Sequence, residues 1–220
     1  MSNESTFEKQ SGPLPARIDH LVLAAPDLEL GIRYVQEQFG VDPIPGGNHP
    51  VYGTRNALVG LGEHCYLEII GPDPEILSGD EVKVFGIHKR NRPGLVTWAV
   101  QGSNLEDFAE AARSELIDLG AVAVGNRRQP DGRELTWQFT DPLAARMGGV
   151  LPFFIDWGDT PHPAASLSGD CRLLEFRLQH PHVGEVQKRL NFLGLEVRVE
   201  AAAEPRVLAR IRTPGGDIDL

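Results

Sequence analysis

Residues 17–40 read RIDHLVLAAPDLELGIRYVQEQFG, and this stretch sets the reading of the whole chain. RIDHLVLAA has the character of a strand. Pro26 and Asp27 follow, a breaker and then an N-cap residue, after which Leu28, Ile32, Tyr34, Val35 and Phe39 recur near helical spacing until Gly40 stops the pattern. A strand therefore runs straight into a helix. DPIPGGNHPVYG then supplies a loop with a short extended piece, and TRNALVGLG and HCYLEIIGP read as two more strands around a Gly-Glu turn. The order is β-α-β-β-β.

That order recurs. LVTWAVQ leads through Ser103 and Asn104 to a helix over LEDFAEAARSELIDLG, then to AVAVG, GRELTWQFTDP and GGVLPFFIDWG. A third pass runs CRLLEFRLQ, a helix over VGEVQKRLNFLGL, EVRVEA, RVLARIRTP and a closing IDL. The pattern predicts an α+β protein of repeated βαβββ modules, three copies with the last abbreviated, whose curled mixed sheets surround a cup. The expected boundaries are a flexible leader (1–16), a first module (17–74), a linker (75–92), a second module (93–158), a connector (159–170) and a third module (171–220). Aligned on the helix starts, His20 corresponds to Thr97 and Glu175.

Length and composition bound the function. At 220 residues and 41% hydrophobic content the chain can bury a proper core. Its 21 basic and 31 acidic residues leave a net charge of -10, which opposes binding to phosphate backbones, so nucleic acid is not an expected partner. No run approaches the roughly 18 apolar residues of a membrane span, and MSNESTFEKQSGPLPA has no signal-peptide core, so a soluble cytoplasmic protein with no membrane partner is expected. Cys65 and Cys171 are too few and too isolated for a disulfide framework or a zinc-cysteine site.

Alternation within the strands singles out two residues. Ile18, His20 and Val22 share one face of the first strand while Leu21 and Leu23 share the other, which packs on the helix and leaves His20 on the concave side. In HCYLEIIG, Tyr66, Glu68 and Ile70 share a face, and Glu68 is the only charge in the strand's interior. A carboxylate there is costly unless a partner compensates it, because the ionised group loses its hydration.

HLVLAAPDLE, GGNHPVYGTRNALVGLGEHCYLEIIGPDP, PGLVTWAV, LPFFIDWGDTPHPA and CRLLEFRLQHP resemble the glyoxalase-like domain family, and the likeness extends from about Arg17 to Leu220. That family belongs to the vicinal-oxygen-chelate superfamily. The resemblance implies paired βαβββ modules around a cup, with a His from the first strand and a Glu from the fourth holding a divalent metal. His20 and Glu68 occupy those positions. An imidazole and a carboxylate suit Fe, Mn, Ni or Zn. The remaining ligands are less visible: the second module offers Thr97 and Phe154, the third Glu175 and Asp219. Glu175, alternating with Arg177 opposite Leu174, Phe176 and Leu178, reads more simply as part of a solvated sheet face.

Further candidates lie around this pair. Glu68 and His162 are the expected catalytic groups; His49, Arg55, Asn56, Trp98 and Phe154 are expected to contact a small-molecule substrate. Arg55 with Asn56 would present a guanidinium fork and an amide to a carbonyl or anion, and the aromatic residues would line an apolar pocket. Asp156 either pairs with Arg55 or faces the site. Two functions stay open: a metal-dependent isomerase, lyase or dioxygenase, or a metal-free protein that binds or sequesters a small molecule. The odd module count suggests a homodimer through a free sheet edge.

Overall fold

β1 (Ile18–Ala24) is buried along its whole length and carries strands on both of its edges. In a computed structural model, which describes residues 18–76, 81–128, 134–144 and 146–220, it lies near the middle of an eight-stranded sheet. The expected leader, 1–16, lies outside the described residues, as does part of the 75–92 linker. α1 (Leu28–Phe39) follows β1 at once. Asp27 caps it by accepting a hydrogen bond from the Leu30 N–H at 3.0 Å, and Gly40 ends it in a left-handed conformation, φ 69°. β2 (Ile44–His49), β3 (Thr54–Gly60) and β4 (Tyr66–Pro72) complete the first module, and β4 returns to pair parallel with β1.

The second module repeats the plan with β5 (Gly94–Gln101), α2 (Leu105–Ser114), β6 (Val122–Arg128), β7 (Glu134–Thr140) and β8 (Phe153–Asp156). α2 stops earlier than the sequence pattern suggests. Leu116 turns to a positive φ of 61°, and the chain beyond it sends Ile117 and Leu119 into the core instead of continuing the helix. β1 and β5 pair antiparallel, so the two modules join into the order β2-β3-β4-β1-β5-β8-β7-β6. The expected curled sheet around a cup is therefore built by the first two modules.

The third module keeps the element order but not the pairing. It comprises β9 (Arg172–His180), α3 (Val183–Phe192), β10 (Arg198–Ala201), β11 (Arg206–Thr213) and β12 (Gly216–Asp219). Its sheet order is β10-β9-β11-β12, with β10 parallel to β9 and β11 antiparallel on β9's other edge. A tight turn after Thr213 confines β12 to a hairpin with β11, so the last strand does not return to the first as β4 does.

This small sheet packs behind the large one. Leu21, Leu23, Trp98 and Val100 from the large sheet share a core with Val35 and Phe39 of α1 and with Phe176, Leu178 and Ile211 of the small sheet. The Trp98 and Phe176 rings lie 4.7 Å apart. Val22, Ala24, Ala99, Phe153 and Ile155 point the other way and pack together on the cup side, where Phe153 and Ile155 line the cavity. Glu175 is thus buried rather than solvated, paired with Arg177 at 3.2 Å, and Asp219 is paired with Arg210 at 2.9 Å. Both belong to the rear sheet, and neither enters the cup. Among the described residues no helix is long and apolar enough to cross a membrane.

Candidate functional site

A cavity of about 280 Å³ occupies the concave face of the large sheet, with His20 and Glu68 among the residues lining it. β1 and β4 run parallel with His20 opposite Tyr66 and Val22 opposite Glu68, so the imidazole and the carboxylate meet across one strand boundary. His20 Nε2 stands 3.7 Å from Glu68 Oε2. That is beyond hydrogen-bond reach but close enough for both atoms to act on one group of a ligand. The His20 ring stacks on Tyr66 at 4.6 Å and meets the edge of Phe153 at 5.4 Å.

Asp19 sets this imidazole. The β1–β5 register slips between Ile18 and His20, a bulge that leaves Asp19 without a partner in β5. Strict alternation would send Asp19 to the helix side with Leu21, yet its fully buried carboxylate reaches His20 Nδ1 at 2.6 Å. Its other oxygen accepts from Trp157 Nε1 at 2.9 Å and lies 3.0 Å from His162 Nε2. Burial alone would raise the Asp19 carboxyl, but the hydrogen bonds from His162 and His20, and favourable electrostatics with both rings, outweigh it and hold the group well below the usual carboxylate range. An ionised Asp19 requires a proton on His20 Nδ1, and in the neutral imidazole this leaves Nε2 as the acceptor beside Glu68.

Glu68 is held as firmly. Its Oε1 accepts from Asn56 Nδ2 at 2.6 Å, while Asn56 Oδ1 accepts from the Gly47 N–H at 2.7 Å. The second contact fixes which way the amide points. Gly46 makes room for it: a Cβ there would overlap Asn56 Oδ1. The β2–β3 tip is tied down by Asn48 Nδ2 donating to buried Asp73 at 2.6 Å and by His49 Nδ1 against Thr54 Oγ1 at 3.1 Å.

The structure gathers His20, Asn56, Glu68 and His49 around the cavity and places the other expected residues elsewhere. Arg55 alternates away from Asn56, pairs with Glu29 of α1 at 3.4 Å, and does not line the cavity. Trp98 and Phe154 are corrections of a different kind, because both are fully buried on the rear face. Trp98 Nε1 donates to the Val150 carbonyl at 3.0 Å, and Phe154 packs against Phe108 at 4.7 Å. Their neighbours Ala99 and Phe153 lie on the opposite face, where Phe153 lines the cup. His162 accepts from the Ala164 N–H through Nδ1 at 3.2 Å, so Nε2 carries the proton that it gives to Asp19. It braces the site from behind. Asp156 caps the turn at Gly158 at 2.9 Å and joins neither Arg55 nor the cavity. Asp19 and Tyr66 went unnoticed as site residues, although a second charge beside His20 in an apolar strand was a visible signal.

The superfamily pattern implies a divalent metal, and the donor set here does not complete a protein chelate for one. His20 Nε2 and Glu68 Oε2 supply two donors from the first module. The wall from the second module presents Phe139, Phe153 and Ile155 with one amide at Asn126 and, among the described residues, no His, Asp or Glu, and the remaining group beside Glu68 is an amide N–H with its orientation fixed. Among the described residues, no group of three or more His, Cys, Asp or Glu side chains could hold an ion.

A family model described as a glyoxalase-like domain matches residues 18–194 of the chain. Among solved structures, a hypothetical protein from Staphylococcus aureus is similar in fold, with a TM-score of 0.59 at 16% identity over 92% of this chain and 83% of that one. Such coverage cannot be reached without part of the third module. The methylmalonyl-CoA epimerase from Mycobacterium tuberculosis is a weaker likeness, with a TM-score of 0.44 at 22% identity over 72% of this chain and 98% of that one. No curated protein matches the chain significantly.

Proposed function

We propose that the cup of this chain, which belongs to the glyoxalase-like domain family, binds a small molecule of largely apolar body whose polar head meets Glu68 and His20 without a resident metal. The observation that carries this reading is the pair itself. A carboxylate whose side chain is 10% exposed lines a largely apolar cavity, held by Asn56 on one oxygen and turned with the other toward His20 Nε2. Burying such a charge opposes folding, and a ligand that donates to it offsets that cost when bound.

The chain's own residues then define the chemistry. Asp19 keeps the Nδ1 proton on His20, so in the neutral imidazole Nε2 and Glu68 Oε2 form two adjacent proton acceptors over one point of the cup. An acidic O–H, N–H or activated C–H placed there can lose its proton to one of them. Binding with reversible proton transfer is the activity this supports.

A metal-dependent isomerase, lyase or dioxygenase is the second reading. It draws on the Asp19–His20 contact, since a carboxylate behind the imidazole is the common outer partner of a metal-bound histidine. Elemental analysis after incubation with Mn, Fe, Ni and Zn separates the two. The proposal expects no stoichiometric metal, and a small-molecule screen read by quenching of the cavity tryptophans, Trp137 and Trp157, should find ligands whose binding Glu68→Gln alters. Stoichiometric metal that both His20→Ala and Glu68→Gln lose would overturn it.

A further inference from the structure

The charge and ring inventory of the cup points to a class of ligand. Among the described residues lining it, Glu68 is the one side chain with a formal charge at neutral pH, and none is Lys or Arg. Directly behind His20 lies a second, ionised carboxylate, Asp19. One imidazole stands between these two carboxylates, with Nδ1 on Asp19 at 2.6 Å and Nε2 3.7 Å from Glu68, so it can balance at most one of the two charges. The walls are aromatic. Tyr52 and Phe139 meet edge to face at 6.4 Å, and Trp137 and Trp157 lie 5.2 Å apart. Tyr66 and Phe153 flank His20. Ring faces attract cations through their quadrupole, and a carboxylate in a cavity with apolar walls repels an anion more strongly than it would in water.

One cation already uses this arrangement. The guanidinium of Arg146 lies 5.6 Å from the Phe85 centroid and 5.9 Å from that of Phe153, two rings that themselves line the cup. Burial lowers Arg146 to about 10, so it is still charged at neutral pH. It is not itself a lining residue, and it donates to the Asp141 carbonyl at 3.1 Å.

Resting on the reading of the cup as a ligand site, we propose that its ligand is an organic amine: a protonated ammonium head donates to Glu68 Oε2 while an aromatic or alicyclic body lies against Tyr52, Trp137, Phe139 and Trp157. A neutral hydroxyl would satisfy the hydrogen bond but leave the buried charge uncompensated. A bare divalent ion would find two protein donors. An ammonium ion answers both the charge and the rings, and the cavity volume of about 280 Å³ suits a compact molecule.

Three compounds of matched shape test this. Phenethylamine, 2-phenylethanol and 3-phenylpropanoate are titrated against the wild-type protein by calorimetry and by tryptophan quenching. The amine should bind about tenfold more tightly than the alcohol, and the carboxylate most weakly. Glu68→Gln should abolish the preference of amine over alcohol. Tyr52→Leu should weaken the amine more than the alcohol, so the argument does not hang on one variant folding. If the alcohol binds wild type as tightly as the amine does, or the carboxylate binds more tightly, the class is wrong while the cup stands as a binding site. If none of the three binds, the cup reading fails and the amine proposal fails with it.

Discussion

Replacing Asp19 by Asn removes one charge from the back of the site and keeps the shape, so it isolates what that charge does. In the folded protein the carboxylate contacts His20 Nδ1 at 2.6 Å, Trp157 Nε1 at 2.9 Å and His162 Nε2 at 3.0 Å, with no exposure to solvent. Hydrogen bonds to a charged group contribute about 1.5–3 kcal/mol each. The amide oxygen can keep accepting from Trp157 and His162, but the NH₂ then faces a His20 nitrogen that carries its own proton. Either that contact is lost or the imidazole changes tautomer, and the remaining bonds weaken to neutral strength. The expected cost is about 2–4 kcal/mol at pH 7, or on the order of 10 °C in Tm for a chain of this size. The pH dependence follows from the sign of the shift. Asp19 is depressed in the folded state, so its contribution is present above the unfolded value near 3.8 and fades as pH falls through and below it toward the folded one. The gap between wild type and variant should therefore narrow from pH 5 downward. Urea unfolding followed by circular dichroism at a series of pH values measures this, and long-range ¹H–¹⁵N spectra report the His20 tautomer. A variant within about 0.5 kcal/mol of wild type at pH 7, or a gap that does not change with pH, would refute the account of Asp19.

Other residues carry expectations of their own. Gly46→Ala should push the Asn56 amide off Glu68, costing about 1–3 kcal/mol through the unsatisfied carboxylate, and its effect on ligand binding should match that of Asn56→Ala without adding to it. Trp98→Phe leaves the Val150 carbonyl without its donor and a gap against Phe176, so unfolding titrations should show a loss of about 2–4 kcal/mol, with ligand affinity unchanged because the ring lies on the rear face. Burial pushes both thiols up, Cys171 to about 11, so a thiol-reactive dye at pH 7.5 should label Cys65 and Cys171 far more slowly in the native protein than in denaturant.

Much of the fold was legible because strand and helix periods differ and because the first two modules repeat their offsets. His20 and Glu68 were legible for the same reason: each follows the alternation of its strand, and β1 and β4 pair as the module plan requires. Where alternation broke, the reading broke. The bulge at Asp19 brings it to the same histidine that alternation would place on the opposite face, and a slip near Leu174 in the β9–β11 pairing disturbs the face assignment that made Glu175 look solvated. Phe153 and Phe154 failed differently. Two adjacent phenylalanines in a four-residue strand give no clue to which one faces in, since both faces of this sheet are apolar and covered. The pairing of the third module was illegible because element order does not say which edge of β9 receives which strand.

The two halves of the cup have been put to different uses, and the connector shows how the third module bears on that. β1 and β4 contribute the imidazole and the carboxylate, while β7 and β8 contribute Trp137, Phe139, Phe153 and Ile155 to the wall from the second module. A symmetric pair of modules would offer ligands from both sides of one point; this pair offers an acidic side and an apolar one, which suits a molecule with a polar end and a greasy end. Asp19 then depends on residues beyond the second module's last strand. Trp157 follows β8 directly, and His162 begins the turn over Pro163–Ser166 on the way to β9. The small sheet behind the cup anchors the far end of that connector, with the Leu173 N–H bonded to the Leu61 carbonyl at 3.0 Å. Disturbing the packing of Phe176 against Trp98 should therefore loosen the brace on Asp19 and, through it, the tautomer of His20, even though no residue of the third module lines the cavity.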